Sequence, residues 1–277
     1  MMNYRIIIYM VNQMKKYSAL IIGCGNMGCQ NDAPGSENSH KTISYAKALI
    51  KNDNFVVHCH DLDFEKNKLA CEIWNIDMLH PLECYDVIII ATPEDTHYEE
   101  LILAINKRPK LIICEKPFCA NYDEAERIVA LAEKLDVPIL VDYTRRFIEH
   151  YQLTKERIKG FGDMQSYYVT INRGKLHTGS HVADLFNWFF PEKETPHVFN
   201  YVDNLNYRVF DFGLGFKNDF VGETRIMDDE VHPMYDHHTK HVIDNAFGFL
   251  EGTEELLCTM YDGLKVHKVL ETIEWNN

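Results

Sequence analysis

Ser18-Ala19-Leu20-Ile21-Ile22-Gly23-Cys24-Gly25-Asn26-Met27-Gly28 is an apolar run of strand character that breaks into a glycine turn. Its glycines follow the spacing G-x-G-x-x-G. At such a turn Gly23 permits the sharp exit from the strand. Gly25 lets the backbone approach a pyrophosphate, and Gly28 lets the following helix pack closely on the sheet. A helix N-terminus placed there offers N–H groups and a positive dipole end to phosphates. Glycines also make ordinary loops, so context decides: a buried strand precedes the motif and a strand–helix series follows it. Asn26 and Met27, inside the turn, are candidate dinucleotide contacts with the three glycines.

Working outward, the first half alternates. Strands are expected at Ser18–Gly23, Phe55–His60, Tyr85–Ala91, Leu111–Cys114 and Val137–Val141. Helices are expected at His40–Lys51, Phe64–Trp74, Glu94–Asn106 and Tyr122–Leu135. Asn121 is a natural N-cap for the last, whose Ala125, Ile128, Val129, Leu131 and Ala132 form an apolar face. Continuous apolar strands alternating with helices predict a doubly wound parallel sheet covered on both faces. A polar insert, Gln30–Ser39, separates the glycine turn from the first helix.

After Asp142 the texture changes. A helix over Arg146–Lys159 ends at Gly160. Longer aromatic, alternating stretches follow at Met164–Asn172, Val198–Tyr201, Tyr207–Phe216 and Phe220–Met227, which predict an open, mainly antiparallel sheet. Helices are expected at Gly179–Phe190, Asp236–Leu250 and Gly263–Trp275. The expected α/β organisation is an N-terminal extension over 1–13, a dinucleotide-binding Rossmann domain over 14–142, and a substrate-binding and oligomerisation domain over 143–277. The apolar stretch Arg5–Val11 is too short to span a bilayer and lacks a small-residue cleavage site.

The 277 residues are 46% hydrophobic and 25% charged, as in soluble globular proteins. A formal net charge of −14 argues against a nucleic-acid partner and against an anionic membrane surface. The 8 cysteines form no C-x-x-C pair and read as small buried hydrophobes in a reducing, cytoplasmic setting.

The strand ends carry the chemistry. Ligands of open parallel sheets bind beyond the carboxyl ends of the strands. The second strand ends in His60-Asp61-Leu62-Asp63, where Asp61 can accept hydrogen bonds from the adenosine ribose hydroxyls and repel a 2′-phosphate. With no arginine following it, NAD is expected rather than NADP. Asp61 lies farther from the glycines than usual, and the polar insert accounts for the excess. Ala91-Thr92-Pro93 closes the third strand, so Thr92 and Pro93 line the nicotinamide side. His97, one turn into the next helix, either faces the crevice or sits on the helix surface. The fourth strand runs into Glu115-Lys116-Pro117. Glu115 and Pro117 fix the strand end, and Lys116 points an ammonium into the crevice, where it can hold a reacting oxygen as charge develops.

These residues resemble the glucose–fructose oxidoreductase / inositol dehydrogenase (Gfo/Idh/MocA) family. The resemblance runs from about residue 17 to 190. It is carried in order by the glycine motif, Ala91-Thr92-Pro93 with His97, Glu115-Lys116-Pro117, Arg146-Phe147, and Gly179-x-His181-x-x-Asp184. It implies a Rossmann domain joined to an open-sheet α/β domain, and NAD(P)-dependent hydride transfer on a sugar, nucleotide-sugar or cyclitol hydroxyl or ketone. It also implies association into a homodimer or homotetramer through the sheet face. The insert running into Ser39-His40 and Tyr45 is similar to members acting on nucleotide sugars. By the same resemblance His181 is the general base beside Lys116, and Asp184 positions substrate or orients His181. Tyr143 and Arg146 reach the substrate pocket, Arg146 being equally a structural ion-pair partner. The departure is His177, where many members carry an acid; it replaces that group in substrate binding, or the subgroup uses different chemistry, or the chain is a non-catalytic sugar- and dinucleotide-binding regulator. Reduction of a non-sugar substrate is a third reading. The remaining cluster, Asp228, Asp229, Glu230, His232, Asp236, His237, His238 and His241, reads as a polar loop and helix start rather than a metal site, although His237 and His241 share a helix face.

Overall fold

The computed structural model describes residues 17–78, 84–160, 164–171, 174–192, 198–201, 208–216, 220–227, 236–272 and 274–276. The expected N-terminal extension lies outside these residues, as do Asp228, Asp229, Glu230 and His232. Strands β1 (Tyr17–Ile22), β2 (Phe55–His60), β3 (Asp77–Met78), β4 (Val87–Ile90), β5 (Leu111–Glu115) and β6 (Ile139–Asp142) form one sheet in the order β3-β2-β1-β4-β5-β6. Every neighbouring pair is parallel. Every residue of β4, β5 and β6 is buried, which is what unbroken apolar strands need. The strand order reverses between β1 and β4, so a crevice opens at their carboxyl ends. The short edge strand β3 carries no apolar alternation and was not expected.

Eight helices accompany the strands among the described residues: α1 (Tyr45–Ile50), α2 (Phe64–Trp74), α3 (His97–Asn106), α4 (Tyr122–Leu135), α5 (Glu149–Ile158), α6 (Ser180–Phe189), α7 (His238–Leu250) and α8 (Met260–Thr272). Asn121 caps α4, accepting from Glu124 N at 3.0 Å. The expected helix over His40–Lys51 begins only at Tyr45. Ser44 is its N-cap, accepting from Lys47 N, and the buried Asp32 carboxylate binds the backbone N–H groups of Ile43 and Ser44 at 2.5 and 3.0 Å. Those bonds hold residues 43 and 44 out of a helical ladder.

The second sheet comprises β7 (Met164–Ile171), β8 (Val198–Tyr201), β9 (Arg208–Phe216), β10 (Phe220–Met227) and β11 (Glu274–Asn276), in the order β10-β9-β7-β8-β11. It is more mixed than expected. The β10–β9 and β9–β7 pairs are antiparallel, but β7–β8 and β8–β11 are parallel. The chain passes through α6 between β7 and β8, and a helical crossover returns it in the same direction. The closing helix starts at Met260 rather than Gly263 and ends at Thr272, leaving Glu274–Asn276 to pair with β8.

The last helices lie back against the first half. The α7 helix packs on α1, and α8 packs on α4, β6 and α6. Val141 N donates to Cys258 O at 3.2 Å, extending the β6 edge.

Candidate functional site

A cavity of about 850 Å³ opens at the strand ends where the sheet order reverses. Its wall includes Gly23, Gly25, Asn26, Met27, Asp61, Thr92, Pro93, Glu115, Lys116 and His177. The three glycines play different parts. Gly23 has φ +98°, and a Cβ there would lie 2.6 Å from Ala91 O. A Cβ on Gly28 would fall 1.8 Å from Gly23 O, so Gly28 supports the turn from behind rather than lining the cavity. A Cβ on Gly25 would meet nothing within 4 Å. That open space in the cavity wall suits the close approach of a phosphate to backbone.

The helix expected after the motif is a single wide turn, Asn26–Gln30, in which the N–H groups of Cys29 and Gln30 both donate to Gly25 O. The polar insert interrupts it, so the dipole of a long helix is missing here. Asp61 holds the turn instead. Its Oδ2 accepts from Cys24 N at 2.7 Å and its Oδ1 from Asp63 N at 2.8 Å. Lys66 and Lys107 also border the cavity. Neither lysine stands directly after Asp61 in sequence, where a 2′-phosphate partner is expected.

His97 takes neither expected position. It is 1% exposed and stands between two carbonyl oxygens, with Nδ1 2.8 Å from Pro117 O and Nε2 3.0 Å from Thr92 O. It therefore staples the end of β4 to the turn after Lys116, and burial lowers its pKa below the ordinary value. The Lys116–Pro117 peptide in that turn is cis.

The Lys116 ammonium lies 3.0 Å from Nδ1 and 3.4 Å from Nε2 of His177. Burial lowers the lysine pKa against the pull of Glu115, Glu94 and Asp142. The wide helical turn Lys175–Gly179, leading directly into α6, carries His177 to this point. His181, one turn farther on, is not in the cavity wall. Its ring meets Tyr143 edge-on at 6.1 Å, and burial, then the charges of Arg145 and Lys116, hold it well below the ordinary histidine range. The residue facing Lys116 is thus His177, not His181.

Three expected substrate contacts are buried and stand outside the wall of this cavity. Tyr143 is fully buried. Arg146 (2% exposed) and Asp184 (0%) form a buried ion pair, with Arg146 Nε 2.9 and 3.1 Å from the two carboxylate oxygens and Nη2 2.7 Å from Oδ1. Arg146 Nη1 also reaches Asp262 at 3.1 Å and Leu257 O at 3.1 Å. This arginine ties the end of β6 to α6 and α8, as its alternative reading had it. Of the histidine cluster, His238 is buried, and its charge acts on both Asp142 and His181. Among the described residues no group of three or more His, Cys, Asp or Glu is placed to hold a metal. The segment between the insert and α1 docks beside this cluster: Thr42 N donates to Asp236 O at 2.7 Å, and Lys41 pairs with Asp236 at 3.3 Å.

Comparison with known proteins agrees with this geometry. Residues 17–143 match the model of the Gfo/Idh/MocA oxidoreductase family, described as its NAD-binding Rossmann fold. A scyllo-inositol 2-dehydrogenase (NADP(+)) of Bacillus subtilis, IolU, is 27% identical over 102 residues, 37% of this chain and 31% of the relative. A myo-inositol 2-dehydrogenase of Thermotoga maritima is 30% identical over 141 residues, 50% of this chain and 40% of the relative. The aligned region thus spans less than half the length of these curated relatives. Over the whole fold, the WlbA dehydrogenase of Bordetella pertussis, solved with NADH and UDP-GlcNAcA, superposes with a TM-score of 0.70 at 16% identity, covering 93% of this chain and 94% of that one. In its NAD-binding Rossmann domain, the chain is similar to the Gfo/Idh/MocA family of oxidoreductases.

Proposed function

We propose that this chain is an NAD-dependent dehydrogenase or reductase acting on a hydroxyl or ketone of a cyclitol, sugar or nucleotide sugar. The observation that carries the proposal is the Lys116–His177 contact of 3.0 Å in the wall of the cavity that the glycine turn also lines. A bound nicotinamide supplies the site that accepts or returns the hydride. Gly25 and Asn26 receive the dinucleotide backbone, and the Asp61 carboxylate at the far rim favours an unphosphorylated ribose, hence NAD over NADP. Lys116 holds the reacting oxygen, and its lowered pKa suits it to release and regain a proton. His177 takes the proton that leaves the hydroxyl. His181 keeps the neighbouring wall neutral and in place.

The test is a panel of inositols, hexoses and nucleotide sugars followed by NADH absorbance, with NAD binding measured in parallel. Lys116→Ala is expected to lower turnover by roughly 10²–10⁴-fold with NAD still bound, and His177→Ala to do the same. A His177→Ala variant that works at full rate beside an inactive His181→Ala would move the base to His181. NAD binding with no turnover on any substrate would favour the regulatory reading that the histidine at 177 first suggested.

A further inference from the structure

Strands β5 and β6 end in register, with Glu115 beside Asp142. Registered neighbours of a parallel pair point to the same face of the sheet, so two carboxyls meet at the buried end of the cavity wall. Tyr45, from the first turn of α1, inserts its hydroxyl between them. The phenol oxygen lies 3.0 Å from Glu115 Oε1 and 2.6 Å from Asp142 Oδ2. Tyr45 and Asp142 are 0% exposed and Glu115 is 7%.

A phenol carries one proton. It can donate to one of these carboxyls, and must then accept from the other or face it lone pair to lone pair. The second arrangement would leave two adjacent carboxylate charges in a site out of reach of water, which is strongly disfavoured. The shorter contact, at 2.6 Å, is to Asp142. The other Asp142 oxygen accepts from Thr144 Oγ1 at 3.1 Å, so both Asp142 oxygens act as acceptors. Glu115 Oε2 accepts from Lys116 N at 3.2 Å, which leaves its Oε1 as the atom that bears the proton.

We propose that Glu115, Tyr45 and Asp142 form a directed proton chain, Glu115 donating to Tyr45 and Tyr45 to Asp142, which gives Lys116 one buried counter-charge instead of two. Tyr45 and Asp142 are thereby positioning residues for the lysine. The proton arrangement stands on its own geometry; its consequence for Lys116 rests on the function proposed above. Burial first, and repulsion from Asp142 second, push the Glu115 carboxyl up to about 8. The groups that face the chain are Tyr45 from α1, Lys116 just past β5, Thr144 beyond β6 and His238 from α7. The Arg145 charge also acts on Lys116. With a single counter-charge, the Lys116 ammonium gives up its proton more readily than it would beside two ionised acids. Ionisation of Glu115 at higher pH removes that advantage.

Infrared difference spectroscopy on the full chain tests this without substrate or cofactor. Wild type minus Glu115→Gln at pH 6.5 is expected to contain the carbonyl stretch of a neutral carboxylic acid, which shifts in D₂O and fades as the pH is raised through about 8. A difference spectrum with carboxylate bands only would overturn the proposal. Asp142→Asn provides a second measurement should Glu115→Gln fail to fold. Removing the neighbouring charge is expected to lower the midpoint of the Glu115 band by at least one pH unit, and an unmoved midpoint also overturns the proposal. For the lysine, Tyr45→Phe is expected to shift the alkaline limb of the turnover profile by at least one unit. A residue that merely packs would lower the rate and leave the limb where it is. The infrared band requires no turnover, so failure of the proton chain and failure of the proposed activity are separate outcomes.

Discussion

At one end of the cavity, Gly23, Gly25 and Gly28 come from six consecutive positions, and Asp61 secures them through the backbone N–H of Cys24. At the other end, Lys116 meets His177 across 61 positions, Tyr45 meets Asp142 across 97, and Arg146 meets Asp184 across 38. The glycine end is shaped by backbone conformation, which short-range sequence dictates. The lysine end is an agreement among α1, β5, β6, α6 and α8, and it holds only while those elements stay docked. Damage to distant packing should therefore loosen the lysine end first, and damage to the glycine end should be local.

The largest effect expected is at Arg146. Arg146→Met leaves the fully buried Asp184 carboxylate, and that of Asp262, without their cation. Breaking a buried pair from one side costs about 3–5 kcal/mol, read as a fall in the urea midpoint. Arg146→Met combined with Asp184→Leu should recover much of that loss, because no unpaired buried charge then remains at 184. Turnover should stay impaired in the pair, since α6 carries the chain from His177. Equal stability of wild type and Arg146→Met would mean that the docking is held by other contacts.

How much of this was legible beforehand follows the same division. The glycine turn, the parallel strands and the position of Lys116 at the end of β5 were all readable, because each depends on residues within one strand–turn unit. The family resemblance implies substrate roles for Tyr143, Arg146 and Asp184, and their burial is not visible in the motifs that carry it. His97 was weighed as crevice or surface, yet both its ring nitrogens face carbonyls of other segments, Pro117 O among them. His177 was noticed as a departure, but its contact with Lys116 depends on the wide turn before α6. Tyr45 carries a signal in sequence only as the end of the insert's resemblance, inside a helix expected over His40–Lys51; its place between two carboxyls depends on the register of β5 and β6. The extra histidine at the site, His238, sat inside a cluster that composition alone could not sort.

Acid should reveal a further strut of the lysine end. His267, on α8, accepts a hydrogen bond through Nε2 from Cys119 N at 3.2 Å, just past the Lys116–Pro117 turn. Burial lowers its pKa from 6.5 to about 4. The folded chain thus resists a proton that the unfolded chain takes. The resulting stability is complete above pH 6.5 and is lost as the pH falls toward 4. Between pH 7 and pH 5 this amounts to about 2 kcal/mol. Urea unfolding at both pH values should show His267→Gln losing less stability on acidification than wild type by that amount. Parallel pH curves would assign the acid sensitivity to His97 and His181, whose pKa values burial also lowers.

The smallest effect on the fold, and the sharpest test of the contrast between the two ends, is Gly25→Ala. Gly25 has φ −74° and ψ −158°, a conformation open to alanine. The new methyl would meet no atom within 4 Å. Stability should therefore change by no more than about 0.5 kcal/mol. The methyl would nonetheless stand in the cavity wall where the dinucleotide backbone is proposed to pass, so NAD affinity should fall at least tenfold, about 1.4 kcal/mol. Gly28→Ala, whose methyl would fall 1.8 Å from Gly23 O, should instead destabilise the turn itself and lose binding and fold together. If Gly25→Ala bound NAD as wild type does, the open space at Gly25 would not be a phosphate path, and the glycine end would lose the role that its spacing suggests.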